Sequence, residues 1–176
     1  MRLVPKAKSP ALKSEQIILF RVGGLLFAIS SASVQEVRSV DSLAGASAEI
    51  KISTLHKVRH VLHRGEQTLF VVNGTLHFGL SPTPGTLVFI LRQTRTALLI
   101  DGIEKMTSIT RLQSLPLAFC SEERQWYRGL AALDQTVVPV VNPEGFLTAQ
   151  DIATLEDSLA LPVSTEATLQ TAGDLP

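Results

Sequence analysis

A single cysteine, Cys120, stands among the 176 residues. That excludes an intramolecular disulfide and a cysteine-built zinc cluster. With no His or helix start beside it to activate the thiol, Cys120 reads as a small core residue. An excess of either charge is also missing. Lys and Arg total 16 and so do Asp and Glu, so the basic surplus of a general nucleic-acid binder is lacking. Long apolar runs are absent too: Leu87–Leu91 and 97–100 are among the longest, far below the ~20 residues of a spanning helix. The opening MRLVPKAKSPALKSEQ has no apolar stretch of the secretory kind. The expectation is a soluble cytoplasmic protein with no direct membrane insertion, reaching a membrane only through a partner.

Catalytic signatures are equally scarce. The pair Gly23-Gly24 is too short for a phosphate loop and lacks a following Lys-Ser/Thr. The spacing of a serine-hydrolase nucleophile elbow does not occur. His56, His60 and His63 lie close together, and His56 and His60 have the i,i+4 spacing of a helical zinc motif. The Glu of that motif is missing, and Lys57, Arg59 and Arg64 would repel a cation, so a polar strand edge is the better reading. Trp126 and Tyr127, flanked by Arg124 and Arg128, read as strand-edge packing rather than a base-stacking face. Asp101, after four apolar residues and before Gly102, reads as a turn or cap acceptor. Neither an enzyme nor a bound cofactor or metal is expected.

What is present is a series of short β-favouring runs. With 45% hydrophobic residues the chain is long enough for one domain or two small subdomains sharing an interior. Residues 17–22 and 25–29 alternate around Gly23-Gly24, a link suited to the mirror-image turns of tight hairpins. Ser33 and Glu36 have capping-box spacing, and Val34, Val37 and Val40 recur every third residue, which predicts a short helical turn. Residues 41–52 read as a loop. Residues 58–62 and 68–72 predict strands around the polar insert His63-Arg64-Gly65-Glu66, and Asn73-Gly74 predicts another turn. Residues 81–85, with two prolines, form a loop. Leu87–Leu91 and 97–100 are apolar at nearly every position, as in strands covered on both faces. Tyr127–Leu133 and 137–141 make a further pair around Asp134-Gln135. Thr148 can cap a helix in which Ile152, Leu155 and Leu159 share a face, with Asp151 near its N-terminus. Residues 1–15, rich in Arg2, Lys6, Lys8 and Lys13, and residues 161–176, with no Lys or Arg, are expected as disordered tails. The fold class is therefore mainly β and barrel-like, with a short helical turn and one C-terminal helix. The exposed binding candidates are Arg64 at a tight turn, Glu36 on the capped turn, and their apolar neighbours.

The order of these pieces resembles the CheW-like coupling domain of bacterial chemotaxis systems over residues 16–160. Ile-Leu-Phe-Arg-Val-Gly-Gly-Leu-Leu-Phe-Ala-Ile at 18–29 resembles the family's first hairpin, and Val34-Gln35-Glu36-Val37 its V-x-E-I/V segment. Arg64-Gly65 stands where the N-L-R-G turn belongs, followed by Leu69-Phe70-Val71-Val72. Ala97-Leu98-Leu99-Ile100-Asp101-Gly102-Ile103 resembles the G-I-V-V-D-x-V strand, and 129–134 with 137–142 resemble the closing hairpin. The resemblance implies two small SH3-like β-barrel subdomains sharing a hydrophobic core. It implies an adaptor bridging the cytoplasmic tip of a methyl-accepting chemoreceptor to the regulatory domain of a CheA-like histidine kinase, with no nucleic-acid partner. Val34, Glu36, Arg64 and the neighbouring His63 would be partner-binding, beside a groove for the receptor's helical hairpin. The chain departs from the pattern at Val61-Leu62-His63, where Asn-Leu usually precedes the Arg. It departs again at Asn73, where an aspartate is expected, and in 51–58, where the family's Pro-containing loop is not recognisable. The alternative reading is a docking protein that binds the kinase in a specialised motility or regulatory pathway without the usual receptor.

Overall fold

Alternating apolar residues become strands whose two faces both find cover. The computed structural model describes residues 13–50, 55–119 and 121–160. Cys120, residues 1–12 of the tail expected over 1–15, and the tail expected over 161–176 lie outside them, whereas Glu15 already belongs to the first strand. Strands β1 (Glu15–Val22) and β2 (Leu25–Ser30) form the expected hairpin. Gly23 and Gly24 have φ of 57° and 78°, the left-handed values that the turn requires. The chain then builds β3 (Val34–Ser39), β4 (Ser47–Glu49), β5 (Val58–Arg64), β6 (Gln67–Asn73), β7 (Leu87–Leu91) and β8 (Thr96–Ile100). It finishes with β9 (Gly102–Ile109), β10 (Tyr127–Leu133) and β11 (Thr136–Val141). Helices α1 (Gly74–His77), α2 (Glu123–Trp126) and α3 (Ala149–Ala160) are interspersed.

Two sheets result, one five-stranded in the order β10-β11-β2-β1-β9 and one six-stranded in the order β3-β7-β8-β6-β5-β4. The first is made from the two ends of the chain and the second from its middle, so the backbone crosses between them twice. Period-two alternation sorts the side chains. Phe70, Phe89, Leu98 and Ile100 of the second sheet meet Ile18, Phe20, Phe27 and Ile29 of the first in a shared core. The Phe20 and Phe89 rings touch edge to face at 5.3 Å. The opposite face of each sheet has its own smaller core: Ile17, Leu19, Ala28 and Val140 in the first, Leu62, Leu69, Val88 and Ile90 in the second. The expectation that 87–91 and 97–100 are covered on both faces is thereby met.

Each sheet rolls around its small core without a complete backbone ladder to close it, so the subdomains are SH3-like rather than sealed cylinders. In the first, a lone bridge joins Gln113 and Leu130, with N–H···O contacts of 2.7 and 2.9 Å. A Cβ on Gly129 would lie 2.6 Å from the Gln113 carbonyl oxygen, so the close approach needs glycine there.

Several local expectations are corrected. Ser33 and Glu36 start no helix. Residues 31–33 form a 3-10 turn and Val34 begins strand β3, because pairing with β7 satisfies its backbone and suits its β-branched valines. Residues 41–52 are not all loop, since a 3-10 turn covers Val40–Leu43 and β4 covers Ser47–Glu49; 51–54 lie outside the described residues. The β5–β6 turn is Gly65-Glu66 alone, so His63 and Arg64 belong to the strand. Asn73-Gly74 is no hairpin turn: the Asn73 side chain accepts from the Leu76 N–H and caps α1. At α3, Thr148 and Asp151 form a reciprocal capping box at 3.1 and 2.9 Å. Leu155 is buried, but Leu159 is exposed.

Candidate functional site

A bulge and a rolled sheet create the most distinctive surface of the molecule. In β3 the register slips between Val34, opposite Leu91, and Glu36, opposite Ile90. The extra residue re-aims the strand, so Glu36 and Arg38 fall on the side of the sheet that carries Val88 and Ile90. On β5, Leu62 faces Leu69 on that same side, and Arg64 follows two residues later opposite Gln67. Strands β3 and β5 are four steps apart in sheet order. A flat sheet would hold them about 19 Å apart. Yet Arg64 Nη2 lies 3.2 Å from Glu36 Oε2. The roll closes that distance, and Arg38 Nε completes the cluster at 3.7 Å from Glu36 Oε1.

The side chains of Arg64 and Glu36 remain 45% and 38% exposed. An ion pair in that setting contributes about 0–1 kcal/mol to stability, so its stiffness and its free hydrogen-bonding capacity matter more than its contribution to folding. Arg38 also donates to the Ser42 carbonyl at 3.3 Å, which holds the cluster against the following turn. Val37 and Val40, at 40% and 39% exposure, add apolar surface to the same edge. Their three-residue spacing reads as a helical stripe in the sequence and is instead an exposed margin of a strand and turn.

The four residues anticipated from the sequence divide into three environments. Glu36 and Arg64 come together. Val34, 8% exposed, packs into the shared core and supports β3 from beneath. His63 pairs with Thr68, its Nδ1 3.5 Å from the threonine hydroxyl, on the opposite face of the sheet from Arg64. His56 and His60 are exposed as well. Among the described residues no three His, Cys, Asp or Glu side chains converge to hold a metal.

An open cleft of about 680 Å³ adjoins the cluster. Leu69, Leu91, Leu147 and Ile152 line it with apolar surface, and Gln35 and Gln67 stand at its rim. Gln35 is the neighbour of Glu36, and Gln67 is the cross-strand partner of Arg64. Arg95 anchors the far wall by donating to the Thr68 carbonyl at 3.2 Å and pairing with Glu156 of α3. The contribution of α3 had no signal in the sequence beyond its own amphipathic pattern, because the cleft exists only where that helix docks on the second sheet.

The fourth histidine was also missed. His77 is 5% exposed and packed against Trp126, Phe78 and Phe146, with ring centroids 4.5, 4.8 and 5.0 Å away. Burial, reinforced by the Lys57 charge, pushes its pKa down to about 3. Lys57 Nζ lies 3.5 Å from its Nδ1, which makes Nδ1 the acceptor and leaves the proton on Nε2. This is a neutral, aromatic-like core residue packed among rings. Trp126 lies in α2 and Tyr127 opens β10, and both join this cluster; the Tyr127 hydroxyl is pushed up to about 12 by burial and the nearby Glu123.

Comparison with known proteins agrees with this architecture. No curated protein matches the sequence. Among solved structures, the scaffolding protein TtCheW from Thermoanaerobacter tengcongensis superposes with a TM-score of 0.64 at 14% identity, over 78% of this chain and 95% of that one. At such identity the likeness establishes the fold. A model of the CheW-like domain matches residues 16–151. The chain belongs to the CheW-like domain family.

Proposed function

We propose that the protein is a non-enzymatic, cytoplasmic adaptor that couples methyl-accepting chemoreceptors to a CheA-type histidine kinase in a chemotaxis-like pathway. The observation that carries this reading is the Glu36–Arg64 pair, displayed half-exposed on a rolled sheet, with exposed valines along the same strand and turn and a cleft of mixed polar and apolar lining beside it. Such a surface suits a protein partner. Arg64 can offer a planar donor fork, Val37 and Val40 can be desolvated, and the cleft can receive the apolar stripe of a helix. Two partners held on one small rigid body raise each other's effective concentration, which is all the mechanism an adaptor requires. Recruitment to receptor arrays at the membrane would follow from the receptor contact, since no helix among the described residues is long and apolar enough to cross a bilayer.

The test is binding of purified chain to the regulatory domain of a CheA-type kinase and, separately, to a receptor tip fragment, followed by calorimetry with Glu36→Ala and Arg64→Ala. The reading expects both partners to bind and both variants to weaken at least one contact. Binding to neither partner would overturn it. Binding to the kinase alone would favour the docking protein without a receptor. The departures at 61–63 and at Asn73, whose side chain is committed to capping α1, make that the one alternative with an observation behind it.

A further inference from the structure

Asp101 is the single residue between β8 of the second sheet and β9 of the first, and it holds both sheets. Its Oδ2 accepts from the Gly24 N–H at 3.1 Å, in the β1–β2 turn of the first sheet. Its Oδ1 accepts from the Thr83 hydroxyl at 2.6 Å, in the loop that leads into β7 of the second. The main chain repeats the pattern: Asp101 N–H donates to the Arg21 carbonyl at 2.9 Å, and the Asp101 carbonyl accepts from the Thr86 hydroxyl. Thr83 stands between Pro82 and Pro84, whose fixed φ stiffens the loop. On the far side, Arg21 donates to the Gly24 carbonyl at 2.9 Å and pairs with Glu104 at 2.8 Å, so the turn that Asp101 grips is itself braced. Each carboxylate oxygen thus serves a separate donor, so truncating the side chain would remove both arms at once.

We propose that Asp101 is the positioning residue of a joint between the two sheets: its carboxylate sets the angle at which the sheet bearing Glu36 and Arg64 is held against the other. The joint itself stands on the geometry alone; its consequence for signalling rests on the adaptor reading. Moving one sheet by a few degrees would displace a partner seated on the Glu36–Arg64 face relative to one seated on the first sheet. Transmission between partners would then depend on a residue that touches neither.

The test measures the joint directly. In a Cys120→Ser background, spin labels are placed at the exposed Ala48 of β4 and Ala132 of β10, one on each sheet, and their distance distribution is recorded. Asp101→Ala, which removes both acceptor oxygens, should shift and broaden the distribution. Hydrogen exchange at the Gly24 amide should quicken about tenfold, as expected for a lost bond to a charged acceptor. Thr83→Val, which removes only the second arm, should also shift the distribution, and it decides the matter if Asp101→Ala fails to fold. Met106→Gln, at an exposed position of β9 in the first sheet, should leave the distance unchanged. An unaltered distribution in folded Asp101→Ala and Thr83→Val would overturn the proposal and reduce Asp101 to a turn cap. With kinase domain and receptor fragment together, Asp101→Ala should retain each binary contact and lose simultaneous assembly. A shifted distance in the variants, with no assembly by the wild type either, would uphold the joint and count against the adaptor reading.

Discussion

Arg64 illustrates how much the chemistry of one residue depends on which way its strand faces. Its guanidinium reaches Glu36, yet Glu36 also has Arg38 within 3.7 Å, so removing Arg64 leaves no orphaned charge. Arg64→Ala should therefore change folding stability by no more than about 1 kcal/mol while weakening partner binding by about tenfold, as truncating an interface arginine does. Thermal melts beside calorimetric titrations separate the two. A large fall in melting temperature would make Arg64 a structural group. His77 is the opposite case, a titratable residue whose effect is on folding. The unfolded chain protonates it near pH 6.5, whereas the folded protein keeps it neutral down to about pH 3. Between those values the unfolded state binds the extra proton, so stability falls as pH falls, by at most about 1.4 kcal/mol per unit. Urea titrations at pH 7 and pH 5 should show a smaller difference for His77→Phe than for the wild type. The depressed carboxyl of Glu15, held down chiefly by its hydrogen bond to Arg128, loses stability in acid too, but it is common to both proteins and cancels.

At the scale of elements, the strand periodicity was legible, and of the helical signals the one at Thr148 marks a helix while the one at Ser33 does not. Phe20 and Val22, or Phe27 and Ile29, alternate because one face is buried, and that pattern is local. Ser33 and Glu36 satisfy the spacing of a helix start, but a capping box contributes only locally, about 1 kcal/mol. Pairing of β3 with β7 buries Val34 and satisfies a whole row of backbone groups, and it prevails. Asn73 shows the converse: a residue read as part of a turn is the cap of a one-turn helix. Asn73→Ala should cost about 1 kcal/mol, measurable as a lower urea midpoint at constant slope. In α3, Leu155→Ala should cost about 2–5 kcal/mol by opening a cavity in the shared core. Leu159→Ala should remain within about 0.5 kcal/mol, since that side chain is exposed.

Taken whole, the molecule is two rolled sheets that have no independent existence. Each contributes one wall of the shared core, and the chain passes through both. Phe89→Ala should cost about 3–5 kcal/mol, and it should destabilise the first sheet as much as the second, because Phe89 packs on Phe20. Unfolding followed by Trp126 fluorescence, on the first sheet's side, and by far-ultraviolet circular dichroism should give coincident transitions in wild type and variant alike. Separated transitions would show that the subdomains fold apart.

Residue order alone was enough for the β class, the first hairpin, the doubly covered middle strands, the capped C-terminal helix and the acceptor role of Asp101. Each depends on contacts within a few residues or on a period that any buried strand must show. The Glu36–Arg64 contact, the separation of His63 from its neighbour, the burial of Val34 and the cleft under α3 were invisible in it. They arise from a bulge, a roll and a docking angle, which are set by packing among groups distant along the chain, and no local spacing encodes which face a side chain will finally occupy.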